Sequence, residues 1–198
     1  VGVAIATSGP GATNLVTGIA TAMMDSSPIV CITGQVGSKL IGSDAFQECD
    51  ITGITLPITK HNYILTQPED VAATVREAFH VARSGRPGPV LIDMTKDCQQ
   101  KACDFTWQED APIAHQRPNL APGEADLARA VDLIHQAKRP LILAGNGIIA
   151  SGASDLVRQF AEHADIPIAM TLLGIGGVPA LAAINAQHGD IGILVNNA

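Results

Sequence analysis

The chain's 198 residues are enough for one domain with a substantial core or for two small ones, and 46% hydrophobic against 16% charged residues excludes disorder over most of the length. A formal net charge of −7 without any cluster of Lys and Arg argues against a nucleic-acid partner, because such binding rests on neutralising many phosphates. No apolar run approaches the roughly 18–20 residues needed to cross a bilayer, so no membrane partner is expected and the protein is placed in the cytoplasm.

Strand-like and helix-like runs alternate along the chain, the signature of an α/β protein with parallel sheets covered by helices. Val1–Ala6 is apolar throughout and reads as a strand buried on both faces. Thr13 is the expected cap of a helix to about Met24, with Leu15, Ile19, Ala22 and Met23 as its apolar stripe. Pro28–Thr33 is the next strand, ended by Gly34. From Gln35 to Pro57 the sequence has no period, and so long a loop in a compact domain tends to carry function. Pro68 opens a helix through about Arg83 on which Val71, Val75, Ala78, Phe79 and Ala82 share one side. Gly85 ends it, and Val90–Met94 follows as a second buried strand. The stretch from Asp97 to Pro122 is polar and proline-punctuated, as a linker is. The pattern then restarts with helix Gly123–Ala137, strand Pro140–Ala144, turn Gly145-Asn146-Gly147, helix Ala153–Ala164 and strand Ile166–Thr171.

Several segments hold side chains able to do chemistry. Cys31, Cys49, Cys98 and Cys103 lack both Cys-x-x-Cys spacing and a zinc-like pattern with His, so they are read as reduced thiols and no metal site is assigned. Ser8-Gly9-Pro10-Gly11-Ala12-Thr13-Asn14 joins a strand to a helix. Its glycines let the backbone approach a ligand closely, or simply make a tight turn. In Asp44-Ala45-Phe46-Gln47-Glu48, Phe46 either anchors the loop to the core or faces a site. The carboxamide of Gln47 can both donate and accept hydrogen bonds. His61, beside Lys60 at a strand start, is expected to be structural, since no acid or nucleophile neighbours it in sequence. Lys96, at a strand's end, is either solvated or placed to meet an anion. Gly145-Asn146-Gly147 lacks the complete Gly-x-Gly-x-x-Gly fingerprint.

Four of these segments, in order Ser8–Asn14, Gly42-Ser43-Asp44-Ala45-Phe46-Gln47-Glu48, Thr59-Lys60-His61-Asn62 and Ser84-Gly85-Arg86-Pro87-Gly88-Pro89-Val90-Leu91-Ile92-Asp93, resemble the catalytic subunit of the acetohydroxyacid synthase (acetolactate synthase) family. These are thiamine-diphosphate enzymes, and the resemblance runs from Val1 to about Pro179. It implies two incomplete Rossmann-like domains of the thiamine-diphosphate fold. Residues 1–97 would be the latter part of the pyrimidine-binding domain, 98–121 a linker, 122–179 the first half of a flavin-binding middle domain, and 180–198 a tail unlike the family.

By the same resemblance Gly9, Pro10, Gly11 and Asn14 lie beside the cofactor's pyrimidine ring. Phe46 and Gln47 hold the substrate, and Lys96 stands at the mouth of the active site. Arg86 would contact FAD, while Gly145, Asn146, Gly147, Thr171 and Leu172 line the flavin site. The implied cofactors are thiamine diphosphate, Mg2+ and FAD, the last with no redox role in turnover. The implied reaction is decarboxylation of pyruvate and condensation with a second 2-keto acid, a carboligation of branched-chain amino-acid biosynthesis.

The chain departs from the family in three places. The glutamate that activates the cofactor belongs to a segment upstream of Val1. No Gly-Asp-Gly…Asn-Asn layout is present to hold the diphosphate and magnesium. Gly37 stands where most of the family has proline, which predicts a looser start to the Gln35–Pro57 loop. The chain alone is therefore expected to be inactive and, with strand edges uncovered, to be a homo-oligomer. The alternatives are a fragment of another thiamine-diphosphate enzyme, such as glyoxylate carboligase or pyruvate oxidase, and a non-catalytic nucleotide-binding or self-associating module. The Asp44–Glu48 loop together with Lys96 favours the synthase.

Overall fold

The computed structural model describes residues 1–105, 113 and 121–177. The chain divides into two compact units, Val1–Asn119 and Leu120–Ala198.

The first unit runs β1 (Gly2–Ala6), α1 (Pro10–Thr13), α2 (Val16–Met24), β2 (Ile29–Gln35), α3 (Ile51–Thr55), β3 (His61–Leu65), α4 (Val71–Arg83), β4 (Pro89–Thr95) and α5 (Lys96–Gln100). Its four strands form one sheet in the order β1-β2-β4-β3. All are parallel, with Val30 opposite Val90, Ile32 opposite Ile92 and Thr33 opposite Asp93. Because side chains alternate across a strand, the central pair splits its residues between two layers. Val30, Val90 and Ile92 pack with Ala78, Val81 and Ala82 of α4. Cys31 and Leu91 face the other way, against Ala12 of α1, Ile19 of α2 and Ile51 of α3.

The α4 stripe lies as its period requires, with Ala78 and Ala82 buried and Val71, Val75 and Phe79 packed against the same cluster. Four expectations need correction. Val1–Ala6 is not buried on both faces: Val3 is 52% and Ile5 76% exposed. β1 is an edge strand with one neighbour, and composition cannot distinguish an apolar edge from an apolar centre. Thr13 does not cap a helix. The helix starts at Pro10, after Gly9 at φ 59°, and the Thr13 hydroxyl donates to the Pro10 carbonyl at 3.2 Å. β2 runs through Gly34 to Gln35, because its ladder with β4 continues to Thr95. The Gln35–Pro57 region contains α3, started by Asp50, whose side chain accepts from the Gly53 amide at 2.9 Å.

The second unit runs α6 (Glu124–Gln136), β5 (Ile142–Ala144), α7 (Asn146–Ala150), α8 (Ser154–Ala164) and β6 (Ile168–Met170). β5 and β6 pair in parallel, and Ala144, Ala161 and Ile168 form the core beneath them. Gly145-Asn146-Gly147 is not a free turn, since Gly145 precedes α7 and the next two residues open it. Most of the expected linker, residues 106–112 and 114–120, and the 180–198 tail lie outside the described residues.

Candidate functional site

The site is built where β1, β2 and β4 end. A depression of about 440 Å³ there is lined by Thr7 and Ser8 after β1, Thr33 and Gln35 of β2, and Lys96 and Gln99 of α5, with Ile5, Ile32 and Met94 as apolar walls. The crevice outside the carboxyl ends of parallel strands is the usual ligand position in open α/β sheets.

Two of the motifs read from the sequence meet next to it, where Gly9 follows Ser8 of the lining. Gly9 sits at φ 59°, and a Cβ on it would lie 2.9 Å from the Gln47 carbonyl oxygen and 3.0 Å from its Cα. Glycine is required on both counts, conformational and steric. Gln47 itself has φ 61°, an uncommon state for a residue with a side chain. Phe46, beside it, is 90% exposed, so it does not anchor the loop to the core. Pro10, Gly11 and Asn14 follow in α1 and its C-cap.

The segment that carries Phe46 and Gln47 is tied at three points by carboxylates. At its start, Asp97 accepts from the Ser38 amide at 2.8 Å and from the Ser38 hydroxyl at 2.7 Å. These bonds hold the Asp97 carboxyl well below the usual carboxylate range. Within the loop, Glu48 accepts from the Gly42 amide, and from the Ala45 amide at 2.9 Å. The Gly42 amide is the largest of the effects that lower its pKa, followed by the Ala45 amide.

At the loop's far end, Gln35 Nε2 donates to the Cys49 carbonyl at 2.7 Å and to Asp93 Oδ2 at 2.9 Å. Thr33 donates to Asp93 Oδ1 at 2.8 Å. Asp93 is 1% exposed. Burial pushes its carboxyl up to about 6, the bonds from Thr33 and Gln35 oppose that rise, and Asp50 adds to it.

Sequence reasoning missed Thr33, Gln35 and Asp93. A signal was available: polar residues at 33, 35, 93 and 95 share one parity near the ends of two otherwise apolar strands, which puts them on one face.

Lys60 and Arg86 lie elsewhere, beside the strand starts. Lys60 Nζ donates to the Val81 carbonyl, and to the Ser84 carbonyl at 2.6 Å. Arg86 donates from Nε to Ser26 Oγ at 2.7 Å and from Nη2 to the Met23 and Met24 carbonyls at 3.2 and 3.0 Å. His61 packs edge-on against Tyr63 with centroids 4.4 Å apart.

In the second unit the remaining candidates converge at the ends of β5 and β6. The Thr171 amide donates to the Ala144 carbonyl at 2.9 Å, and a Cβ on Gly145 would make ordinary contact with Thr171 Oγ1 at 3.5 Å. A Cβ on Gly174 would lie 2.5 Å from the Ala144 oxygen. Gly145, the first two residues of α7 (Asn146 and Gly147), Thr171 and Leu172 thus form one neighbourhood.

Among the described residues no group of three or more His, Cys, Asp and Glu could hold a metal ion, and no helix is long and apolar enough to cross a membrane. All four cysteines are free thiols, and burial pushes Cys31 up to about 11.

Comparison with known proteins separates the two units as well. Residues 1–54 match the thiamine pyrophosphate enzyme N-terminal TPP binding domain, and residues 127–197 match the thiamine pyrophosphate enzyme central domain. The second match continues past residue 179, where the motifs recognised in the sequence end. The chain is 52% identical over 179 residues to the acetolactate synthase large subunit of Corynebacterium glutamicum, covering 90% of this chain and 29% of that protein. It is 47% identical over 193 residues to an acetolactate synthase of Mycobacterium leprae, covering 98% and 30%. With the acetolactate synthase large subunit of Buchnera aphidicola from Schizaphis graminum the identity is 46% over 181 residues, covering 90% and 32%. The chain spans about three tenths of the length of these curated relatives.

Proposed function

Because this chain belongs to the thiamine pyrophosphate enzyme family, we propose that it is a piece of an acetolactate synthase catalytic subunit. The parent enzyme would decarboxylate pyruvate and join the remaining two carbons to a second 2-keto acid. The observation that carries this reading is the meeting of the Gly9 turn with the Gln47 loop beside the strand-end depression, in a chain about half identical to relatives named acetolactate synthase.

The depression suits a polar heterocycle, since Thr7, Ser8, Gln35 and Lys96 bring polar groups to walls made by Ile5, Ile32 and Met94. Thiamine diphosphate, when bound, supplies a carbon centre that attacks a keto carbonyl and accepts the electron pair left by decarboxylation. The chain's own residues bind and orient. Gly9, Pro10, Gly11 and Asn14 would form the pyrimidine side. Gln47 would donate and accept hydrogen bonds to the keto acid, Phe46 would exclude water, and Lys96 would attract the carboxylate. In the second unit, the start of α7 at Gly145–Gly147 and the Thr171–Leu172 segment would take FAD. No residue of this chain is assigned to the diphosphate or to Mg2+.

The test is acetolactate formation from pyruvate by the purified chain supplied with thiamine diphosphate, Mg2+ and FAD, together with a titration of each cofactor. Cofactor binding without product supports an incomplete enzyme. Turnover above a Lys96→Ala control would overturn the view that this chain alone is inactive. Absence of all cofactor binding would favour the non-catalytic module. The exposed edge strand β1 also favours a homo-oligomer, and a monomer by light scattering over a tenfold dilution range would count against that.

A further inference from the structure

We propose that Asp93 is a positioning residue: from the centre of the sheet it fixes the amide of Gln35, and through Gln35 the Cys49 carbonyl, so that the segment bearing Phe46 and Gln47 is held in place. The proposal rests on reading Phe46 and Gln47 as residues that face substrate.

A buried ionised carboxylate is costly unless every lone pair finds a donor. Asp93 sits in the most buried strand among the described residues, one position beyond Ile92, where an apolar residue would pack at no such cost. Its two oxygens are occupied by Thr33 and Gln35. Gln35 is in turn used completely: Nε2 gives its two protons to Asp93 and Cys49, and Oε1 accepts from the Val36 amide at 2.9 Å.

Asp93 is the sheet centre's share in setting the direction of that amide, beside the Cys49 carbonyl and the Val36 amide. A flipped Gln35 would present its oxygen to the carboxylate and lose its bond to Cys49, so the acceptor-only oxygens of Asp93 permit one orientation. Cys49 lies two residues after Gln47, which makes this bond the nearest tie between the sheet and the candidate substrate residues. The tie at Ser38 to Asp97 is nine residues before Gln47, and Glu48 binds only within the loop. Asparagine at 93 can still accept from Gln35 through its oxygen while its NH2 group donates to the Thr33 hydroxyl, whereas leucine offers no acceptor and cuts Gln35 loose from the sheet centre.

Hydrogen exchange by mass spectrometry on the intact chain tests this in Asp93→Leu and, should that variant not fold, in Gln35→Met. The expected result is at least about tenfold faster exchange for amides in residues 38–49, with the peptides covering 29–34 and 89–92 unchanged. A merely structural role predicts that strands and loop accelerate together. That outcome, or loop rates equal to wild type in the folded variant, overturns the proposal. No substrate or cofactor is present, so the result stands or falls apart from the acetolactate assay.

Discussion

The two ends of the four-stranded sheet are both lined with charge, and they use it for opposite purposes. In βα units a helix runs back against its strands, so helix C-termini gather at the strand starts. Lys60 and Arg86 sit there and give their donors to the last carbonyls of α4 and α2, where the helix dipole favours a cation. At the strand ends the charge is acidic. Asp50 caps α3, Asp97 lies in the first turn of α5, and Asp93 and Glu48 hold the loop between them. Charge therefore marks the helix ends before it marks a site. The informative residue is one that breaks the trend, and Lys96 does: it is a cation at the first position of α5, exposed beside the depression.

The largest expected effect breaks the strand-end half of this comparison. Gly9→Val meets both a left-handed backbone and the Gln47 carbonyl 2.9 Å away. A strained backbone and overpacking each cost roughly 1–3 kcal/mol, so a loss of about 2–4 kcal/mol is expected in denaturant unfolding, with the loop displaced. A loss under about 1 kcal/mol would mean that the Gly9 and Gln47 segments do not touch.

Next comes the pH dependence of the buried carboxylate. Asp93 has its pKa raised from 3.8 to about 6, so the native state holds a proton between those values that the unfolded chain has released. Its contribution to stability is full below about pH 4 and is lost as pH rises through 6, by about 3 kcal/mol at most. Asp97 and Glu48, whose pKa values are lowered, act in the other direction, their stabilisation fading as pH falls through the carboxylate range. The melting temperature of Asp93→Asn relative to wild type should thus climb between pH 4 and 7. A constant difference would show that Asp93 does not titrate in that window. Asp50 is the acidic neighbour that raises Asp93 further, so Asp50→Asn should shift the climb to lower pH.

At the opposite end the expectation is purely structural. Lys60→Met takes a donor from the Ser84 carbonyl and leaves the Val81 carbonyl with the Ser84 hydroxyl at 3.2 Å, a cost of about 1–2 kcal/mol. Arg86→Ala, at an exposed cap, should cost about 1 kcal/mol or less. Thermal melts of both should show the loss without altered exchange in residues 38–49. Loosening of that loop by either variant would undo the division between the two ends.

What the sequence shows of all this depends on how local the cause is. α4 and β4 are legible because a 3.6-residue apolar period and a run of Val, Leu and Ile report their own burial. Val1–Ala6 looks the same as Val90–Met94 in composition, yet one is at an edge and the other at the centre, a difference that only pairing decides. The meeting of Gly145 with Thr171 and of Gly9 with Gln47 needs the sheet order, although each glycine was already conspicuous. Asp93 was hidden inside an apolar run, Gln35 fell outside its strand because Gly34 reads as a strand end, and α3 is too short for a period to reveal it.

Gly37 sharpens the comparison at the start of the loop. Its backbone, φ −57° and ψ 143°, already has the conformation that proline imposes. A Cβ there would find only Asp97 Oδ1, at 3.9 Å. Glycine therefore loosens this position in the unfolded chain and not in the folded one. Gly37→Pro should stabilise by about 0.4–1 kcal/mol in denaturant melts while leaving loop exchange unchanged. Slower exchange across residues 38–49 would show that the folded loop is loose after all.

The smallest stability effect belongs to Lys96, and it separates function from architecture most directly. A cation in the first helical turn opposes the dipole, at roughly 0.3–1 kcal/mol when exposed, and α5 is short enough to put the effect at the low end. Lys96→Gln should therefore leave stability unchanged or raise it by about 0.3 kcal/mol, measured beside Lys60→Met under the same conditions. If Lys96→Gln instead destabilises as Lys60→Met does, its charge serves the fold, and the strand-end depression loses its strongest claim to an anionic substrate. A neutral or stabilising result, joined to weaker binding of pyruvate, leaves attraction of a carboxylate as the reason for a lysine where the helix disfavours one.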